Sequence, residues 1–277
     1  MLKVEPFFEI MRLVLASAYI EGEKPLSAVF VAEPESGKTE IIRKYCLKTD
    51  GIFYTTDATA YGIIRDTNYL KDFEKGKTKH IVIPDLLTCM GRKETTVNTL
   101  ISFFNSLIEE GVVDISTYML NLSHDKEIKI GKKKKEVKAG LITSIATKPF
   151  LDKRYRWSGI GFMSRVLPIS YGYTFNTRLE ILDFIEKQNY LTEVLERLKF
   201  KKTPRDINLP YHYSKAIEPF SLDIAKAQDL YGFRLQKQFQ VMLKSIAYLR
   251  NSDKVEQQDV DTFKNLVQFV NLDFNKV

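Results

Sequence analysis

The chain has 277 residues, 44% of them hydrophobic and 28% charged, enough to bury a sizeable core in one or two domains. It contains no apolar run of about 18 residues, and the amphipathic start (Phe7, Phe8, Ile10, Met11, Leu13, Val14, Leu15) is broken by Glu9 and Arg12 without a cleavage site, so no signal peptide or membrane span is expected and a cytoplasmic location is. Cys46 and Cys89 form no disulfide or metal pattern, three histidines (His80, His124, His212) are too scattered for a zinc site, and a formal charge of +7 leans towards polyanionic partners.

Apolar runs alternate with helical patterns through the first half, which predicts α/β architecture with a parallel sheet. Residues 5–20 read as a helix and 27–31 as the first strand. Ala32-Glu33-Pro34-Glu35-Ser36-Gly37-Lys38-Thr39 follows, and a helix over 38–47 completes the strand, loop and helix setting of a phosphate-binding loop. Backbone N–H groups along Glu35, Ser36 and Gly37 and the helix N-terminus are expected to hold β- and γ-phosphates. Lys38 would bridge their oxygens, and the Thr39 hydroxyl would sit on Mg²⁺. Ala32 stands where the usual pattern opens with Gly, so a slightly distorted cradle is expected.

Residues 52–55 read as the second strand, and the aromatic stretch over 53–62 is either core or an additional partner loop. A buried third strand over 80–83 ends in Pro84-Asp85. Asp85 is the carboxylate that such a loop needs at a neighbouring strand end. Where an Asp-Glu pair is usual, with Asp serving the metal and Glu the attacking water, a lone Asp cannot serve both roles fully, and slow hydrolysis is expected. Val97, Leu100, Ile101, Phe104, Leu107 and Ile108 give a helix over 96–110. Strands are predicted over 141–147 and 166–173. A connector with Pro204, Pro210 and Pro219 then leads to helices over 221–231, 233–250 and 256–272.

Between the third strand and the next, Asp125 to Lys138 carries seven lysines against three acidic residues. Residues 127–130 alternate like a strand, Gly131 offers a turn, and Lys132, Lys133, Lys134 and Lys135 would cluster near the tip of a hairpin. A lysine run of this kind is otherwise a solvated loop.

In their order these motifs resemble the AAA+ P-loop ATPases, and are most similar to the minichromosome-maintenance helicase module and its helix-insert relatives, over roughly residues 5–272. The segment from Glu109 to Ile115 resembles the stretch ending the helix after the acidic motif. Residues 139–149 resemble the sensor-1 strand and put Thr147 where Asn usually stands. Met163-Ser164-Arg165-Val166-Leu167 resembles the motif whose arginine reaches a neighbouring subunit's ATP, with Arg154 and Arg156 less well placed. Gly232-Phe233-Arg234 puts Arg234 at the sensor-2 position, which contacts the γ-phosphate.

The resemblance implies a P-loop AAA+ core over 1–176 with a basic hairpin near 119–140, and an all-helical lid over 177–277. It implies ATP and Mg²⁺ as cofactors, with Thr39 and Asp85 on the metal and Asp85, Thr147, Arg165 and Arg234 as the catalytic set. It also implies self-association into a ring or filament, hexameric by analogy. In similar helicases the hairpin projects into the ring's channel, so Lys129, Lys132, Lys133, Lys134 and Lys135 are expected to hold DNA phosphates without reading bases. The implied function is ATP-driven DNA translocation or remodelling in replication, recombination or transposition, alongside proteins of those processes. Two alternatives stay open: a MoxR-like protein-remodelling chaperone, and a DNA-bound ATP switch or helicase loader.

Overall fold

The computed structural model describes residues 4–66, 72–73, 75–109, 113–114, 129–130, 139–188 and 202–271. In chain order, α1 (Glu5–Ala16) leads into β1 (Ala28–Ala32), α2 (Lys38–Cys46), β2 (Ile52–Tyr54), α3 (Ala60–Arg65), β3 (His80–Ile83), α4 (Leu87–Met90) and α5 (Glu94–Glu109). Two short strands, β4 (Val113–Asp114) and β5 (Lys129–Ile130), precede β6 (Gly140–Ala146), α6 (Thr147–Gly159), β7 (Leu167–Ser170) and α7 (Phe175–Glu186). The C-terminal part holds α8 (Tyr211–Ala216), α9 (Glu218–Ala227), α10 (Phe233–Leu249) and α11 (Gln257–Val267).

The main sheet has five strands in the order β2-β3-β6-β1-β7, every neighbouring pair parallel. β1 is therefore an interior strand, between β6 and the edge strand β7, and its five residues are all buried because helices cover both faces. Alternation sorts them. Ala28, Phe30 and Ala32 join one apolar cluster with α1, α2, α10 and α11, while Val29 and Val31 join the opposite cluster with residues of α3, α5 and α6. The C-terminal helices thus share one continuous core with α1 and the sheet. Pro168, paired with Val29, is tolerated because β7 is an edge strand, with β1 as its one neighbour among the described residues. At the start of β6, a Cβ on Gly140 would lie 2.4 Å from the Leu26 carbonyl oxygen and 2.6 Å from the His80 ring, so only glycine fits there.

Several boundaries differ from the sequence reading for identifiable reasons. The strand expected over 141–147 ends at Ala146, and Thr147 is instead the first residue of α6. α6 itself was not anticipated, since Phe150 and Trp157 are its only buried side chains and leave little periodicity to read. The helix expected over 221–231 ends at Ala227, and α8 precedes it. The β4 and β5 ladder is antiparallel, pairing Val113 with Ile130 and Asp114 with Lys129. The partner of Lys129 and Ile130 thus lies upstream, where a turn at Gly131 had suggested a downstream strand. Lys132, Lys133, Lys134 and Lys135 lie outside the described residues.

Candidate functional site

The segment between β1 and α2 folds as a tight loop. Glu35 (φ 63°) and Gly37 (φ 83°) both occupy the left-handed region. For Gly37 this is nearly free, but for Glu35 it costs on the order of 1–3 kcal/mol, strain of the kind that concentrates at ligand clamps. Left-handed residues in a turn of this kind are a feature of the backbone nests that bind anions. Thr39 lies exposed in the first turn of α2, whose N-terminus adds the helix dipole.

Lys38 folds back over this loop. Its Nζ donates to the carbonyl oxygens of Ala32 (2.9 Å) and Glu33 (2.7 Å) and to Ser36 Oγ (3.2 Å). Burial pulls the ammonium below the ordinary lysine range, and the carboxylates of Asp85 and Glu33 oppose that shift. Asp85 stands two residues beyond β3, and its Oδ1 accepts the Leu87 N–H at 3.0 Å, which opens the α4 turn. Two bonds fix the strand end: Ser144 Oγ donates to the Pro84 carbonyl at 2.6 Å, and the Leu86 N–H donates to the Ser144 carbonyl at 2.8 Å.

β6 lies between β1 and β3, with Ala146 in register with Ala32. Thr147 follows directly. Its Oγ1 is buried and has no hydrogen-bond partner among the described residues. Three strand ends thus bring Lys38, Thr147 and Asp85 to the carboxyl edge of a parallel sheet, the edge where ligands bind in open α/β folds.

Arg165 and Arg234 stand elsewhere. Arg165 precedes β7, and the Leu167 N–H donates to the Ser27 carbonyl at 2.8 Å, which sets it at the amino edge of the sheet. Arg234, near the start of α10, lies beside it and donates to Ser164 Oγ at 3.2 Å. Both guanidinium groups approach Glu109 Oε2, with Nε of Arg234 at 3.3 Å and Nε of Arg165 at 3.9 Å, while Lys24 Nζ meets Oε1 at 2.6 Å. Burial alone would raise the Glu109 carboxyl, but Lys24, Arg234 and Arg165 together hold it below the usual range. A cavity of about 340 Å³ opens here, with Lys24, Arg165, Arg234 and Lys237 in its wall.

In sequence, the chain matches no known family and no curated protein.

Of the sequence-derived candidates, then, the loop residues, Asp85 and Thr147 meet at one edge, and Arg165 and Arg234 meet at the other. Arg154 and Arg156 are engaged locally: Arg154 stacks over Tyr155 at 4.7 Å, and Arg156 pairs with Glu94 and donates to Asn98 Oδ1 at 3.1 Å. Lys129 is described only by its backbone in β5.

Three contributors went unrecognised in the sequence. Glu109 and Lys24 organise the arginine edge. Tyr171 donates to the Ser36 carbonyl within the loop, a contact spanning 135 positions of chain. The only local hint of it is an aromatic residue leaving the strand that adjoins β1. Among the described residues no cluster of His, Cys, Asp and Glu could hold a metal by itself, and no helix is long and apolar enough to cross a membrane.

Proposed function

We propose that this chain is the motor module of an oligomeric AAA+ ATPase that binds ATP with Mg²⁺ and couples its binding and hydrolysis to translocation along DNA or to DNA remodelling. The observation that carries this reading is the meeting of Lys38, Thr147 and Asp85 at the ends of β1, β6 and β3. The residues suit a nucleoside triphosphate and its metal: a strained loop with a helix N-terminus, a lysine held by loop oxygens, an orphaned buried hydroxyl and a carboxylate close enough to raise the pKa of the lysine.

Thr39 and Asp85 would hold Mg²⁺, which when bound neutralises charge gathering on the phosphoryl oxygens. Lys38 would exchange its loop carbonyls for β- and γ-phosphate oxygens, a stronger charge-assisted contact. Thr147 Oγ1 would hydrogen-bond the γ-phosphate or the attacking water and end its isolation. Asp85 would orient water or serve the metal, and with no glutamate beside it turnover is expected to be slow.

Arg165 and Arg234 address a second copy. The loop edge exposes Glu33, Glu35 and Glu40, and the opposite edge gathers Lys24, Arg165, Arg234 and Lys237. Such a chain is complementary to itself head to tail, and a heterologous contact closes into a ring or extends as a filament. Arg234 accordingly acts with Arg165 on a neighbour's nucleotide in this reading, rather than on that of its own loop. DNA as the polyanion is supported by the net charge of +7 and by the lysine-rich stretch from Asp125 to Lys138, which follows the start of the β4 and β5 insert.

Steady-state ATP hydrolysis with and without DNA tests the proposal. Activity stimulated by DNA and lost in Lys38→Ala and Asp85→Asn is expected. Hydrolysis unchanged in both variants overturns the site. Hydrolysis that responds only to a protein partner moves the reading to the chaperone alternative.

A further inference from the structure

Two phenols converge on one carbonyl of the phosphate-binding loop. Tyr171 Oη donates to the Ser36 carbonyl oxygen at 3.1 Å and Tyr173 Oη donates to the same oxygen at 2.6 Å. Both lone pairs of that carbonyl are thereby engaged. Neither ring is placed casually. Tyr171 is 1% exposed and stacks on Phe7 of α1 with ring centroids 4.1 Å apart, and Tyr173 meets it edge-on at 6.0 Å. Backbone bonds hold the segment on both sides, with the Tyr171 N–H on the Val31 carbonyl and the Ser170 N–H on the Phe269 carbonyl. Burial raises both phenols, that of Tyr173 to about 12, so both remain protonated donors at neutral pH.

The consequence follows from the peptide unit. No cis peptide occurs among the described residues, and in a trans peptide the carbonyl and the next N–H point in opposite directions. Fixing the Ser36 carbonyl towards the phenols therefore fixes the Gly37 N–H away from them, on the opposite side of the peptide. Gly37, at φ 83°, has the freedom to flip that peptide if nothing restrains it.

We propose that Tyr171 and Tyr173 are positioning residues that hold the Ser36–Gly37 peptide in its phosphate-accepting orientation from the end of the neighbouring strand. The inference rests on the reading of this loop as a nucleotide site. It adds that the cradle is preorganised by the strand-end segment that runs directly into α7, with Thr174 as that helix's N-cap.

The test uses Tyr171→Phe, Tyr173→Phe and the double variant, each of which removes an oxygen and keeps the ring. Binding of a fluorescent ATP analogue is measured by titration, and steady-state kinetics by phosphate release. Because the cradle grips ground and transition states alike, KM is expected to rise with kcat little changed. Each single change is expected to weaken binding about fivefold and the double change about twentyfold, the range of a lost neutral hydrogen bond. Tyr248→Phe serves as comparator. It removes another phenol's bond, to the Thr203 carbonyl at 2.9 Å, and should alter stability without altering nucleotide affinity.

Tyr173 is only partly buried, so its variant should fold even if the double variant does not. Wild-type affinity in Tyr173→Phe and Tyr171→Phe, while Lys38→Ala loses binding, overturns the clamp and leaves the nucleotide site standing. Equal binding by wild type and Lys38→Ala overturns both. A loss of affinity in Tyr248→Phe as large as in Tyr173→Phe would reduce the clamp to a general effect of stability and also overturn it.

Discussion

Mild acid should destabilise the protein through one buried residue, His80. His80 opens β3, is fully buried, and its Nε2 lies 3.2 Å from the Leu26 carbonyl oxygen. Burial, the largest cause, pulls its pKa down from 6.5 to about 4, against hydrogen bonds to the Leu26 and Val14 carbonyls that act the other way. The unfolded chain therefore binds this proton first as pH falls. The stability that neutral His80 contributes is present in full above pH 6.5 and is lost progressively towards pH 4. A shift from 6.5 to about 4 corresponds to about 3 kcal/mol in all, of which about 2 kcal/mol should be lost between pH 7 and pH 5. Urea unfolding at both pH values, on wild type and His80→Gln, isolates this contribution, because other titrating groups are common to both proteins. The variant should be less stable at pH 7 and flatter with pH. Parallel pH profiles for the two proteins would refute the assignment of His80 as a buried neutral residue.

The remaining expectations concern the proposed activity. Mixing Lys38→Ala chains with Arg165→Ala chains should restore hydrolysis that neither has alone, since an intact loop then meets an intact arginine edge; no recovery at any ratio, with assemblies verified by sedimentation, argues against action in trans. Tyr231 and Phe233 stack at 5.7 Å, are 85% and 76% exposed, and line a groove of about 550 Å³ together with Arg234. Replacing both by alanine should weaken assembly at least tenfold by sedimentation, as loss of exposed aromatic anchors does at interfaces, while nucleotide binding by single chains is kept. Changing Lys132, Lys133, Lys134 and Lys135 to alanine should lower DNA affinity and reduce the slope of log K against log salt by about 3–4, with an unchanged slope placing the DNA elsewhere.

How much could be read in the sequence depended on how far apart in the chain the cooperating residues lie. The loop from Ala32 to Thr39 is contiguous, and its strand and helix flanks carry their own periodicities, so its position emerged directly. Asp85 followed because an apolar run ends just before it, whereas Thr147 came only from the resemblance to a sensor-1 strand, and that strand ends one residue earlier than expected. The strand order could not be read, because nothing local states that β6 inserts between β1 and β3. Glu109 was visible only as the end of an amphipathic helix, and its partners Lys24, Arg165 and Arg234 come from three other segments. The phenol contacts to Ser36 span 135 and 137 positions and depend on the pairing of β7 with β1. α6 was missed for a different reason, since its solvent-facing composition conceals a helix held by two buried aromatics.

The parallel sheet also explains why one chain would hold an incomplete site in the proposed motor. Every strand runs the same way, so residues that follow strands collect at one edge and residues that precede them at the other. Lys38, Asp85 and Thr147 follow β1, β3 and β6, whereas Arg165 precedes β7. The five residues of β1, at about 3.3 Å each, hold the two edges about 16 Å apart. Buried on both faces, the strand cannot bend to bring them together. Glu109 meanwhile lies beside Arg165 and Arg234 as a local counter-ion. A triphosphate presented by a second chain carries more charge than one carboxylate and can displace it. If the proposed motor hydrolyses ATP at this loop, dependence of that hydrolysis on assembly would follow from strand polarity itself, with no rearrangement of the sheet.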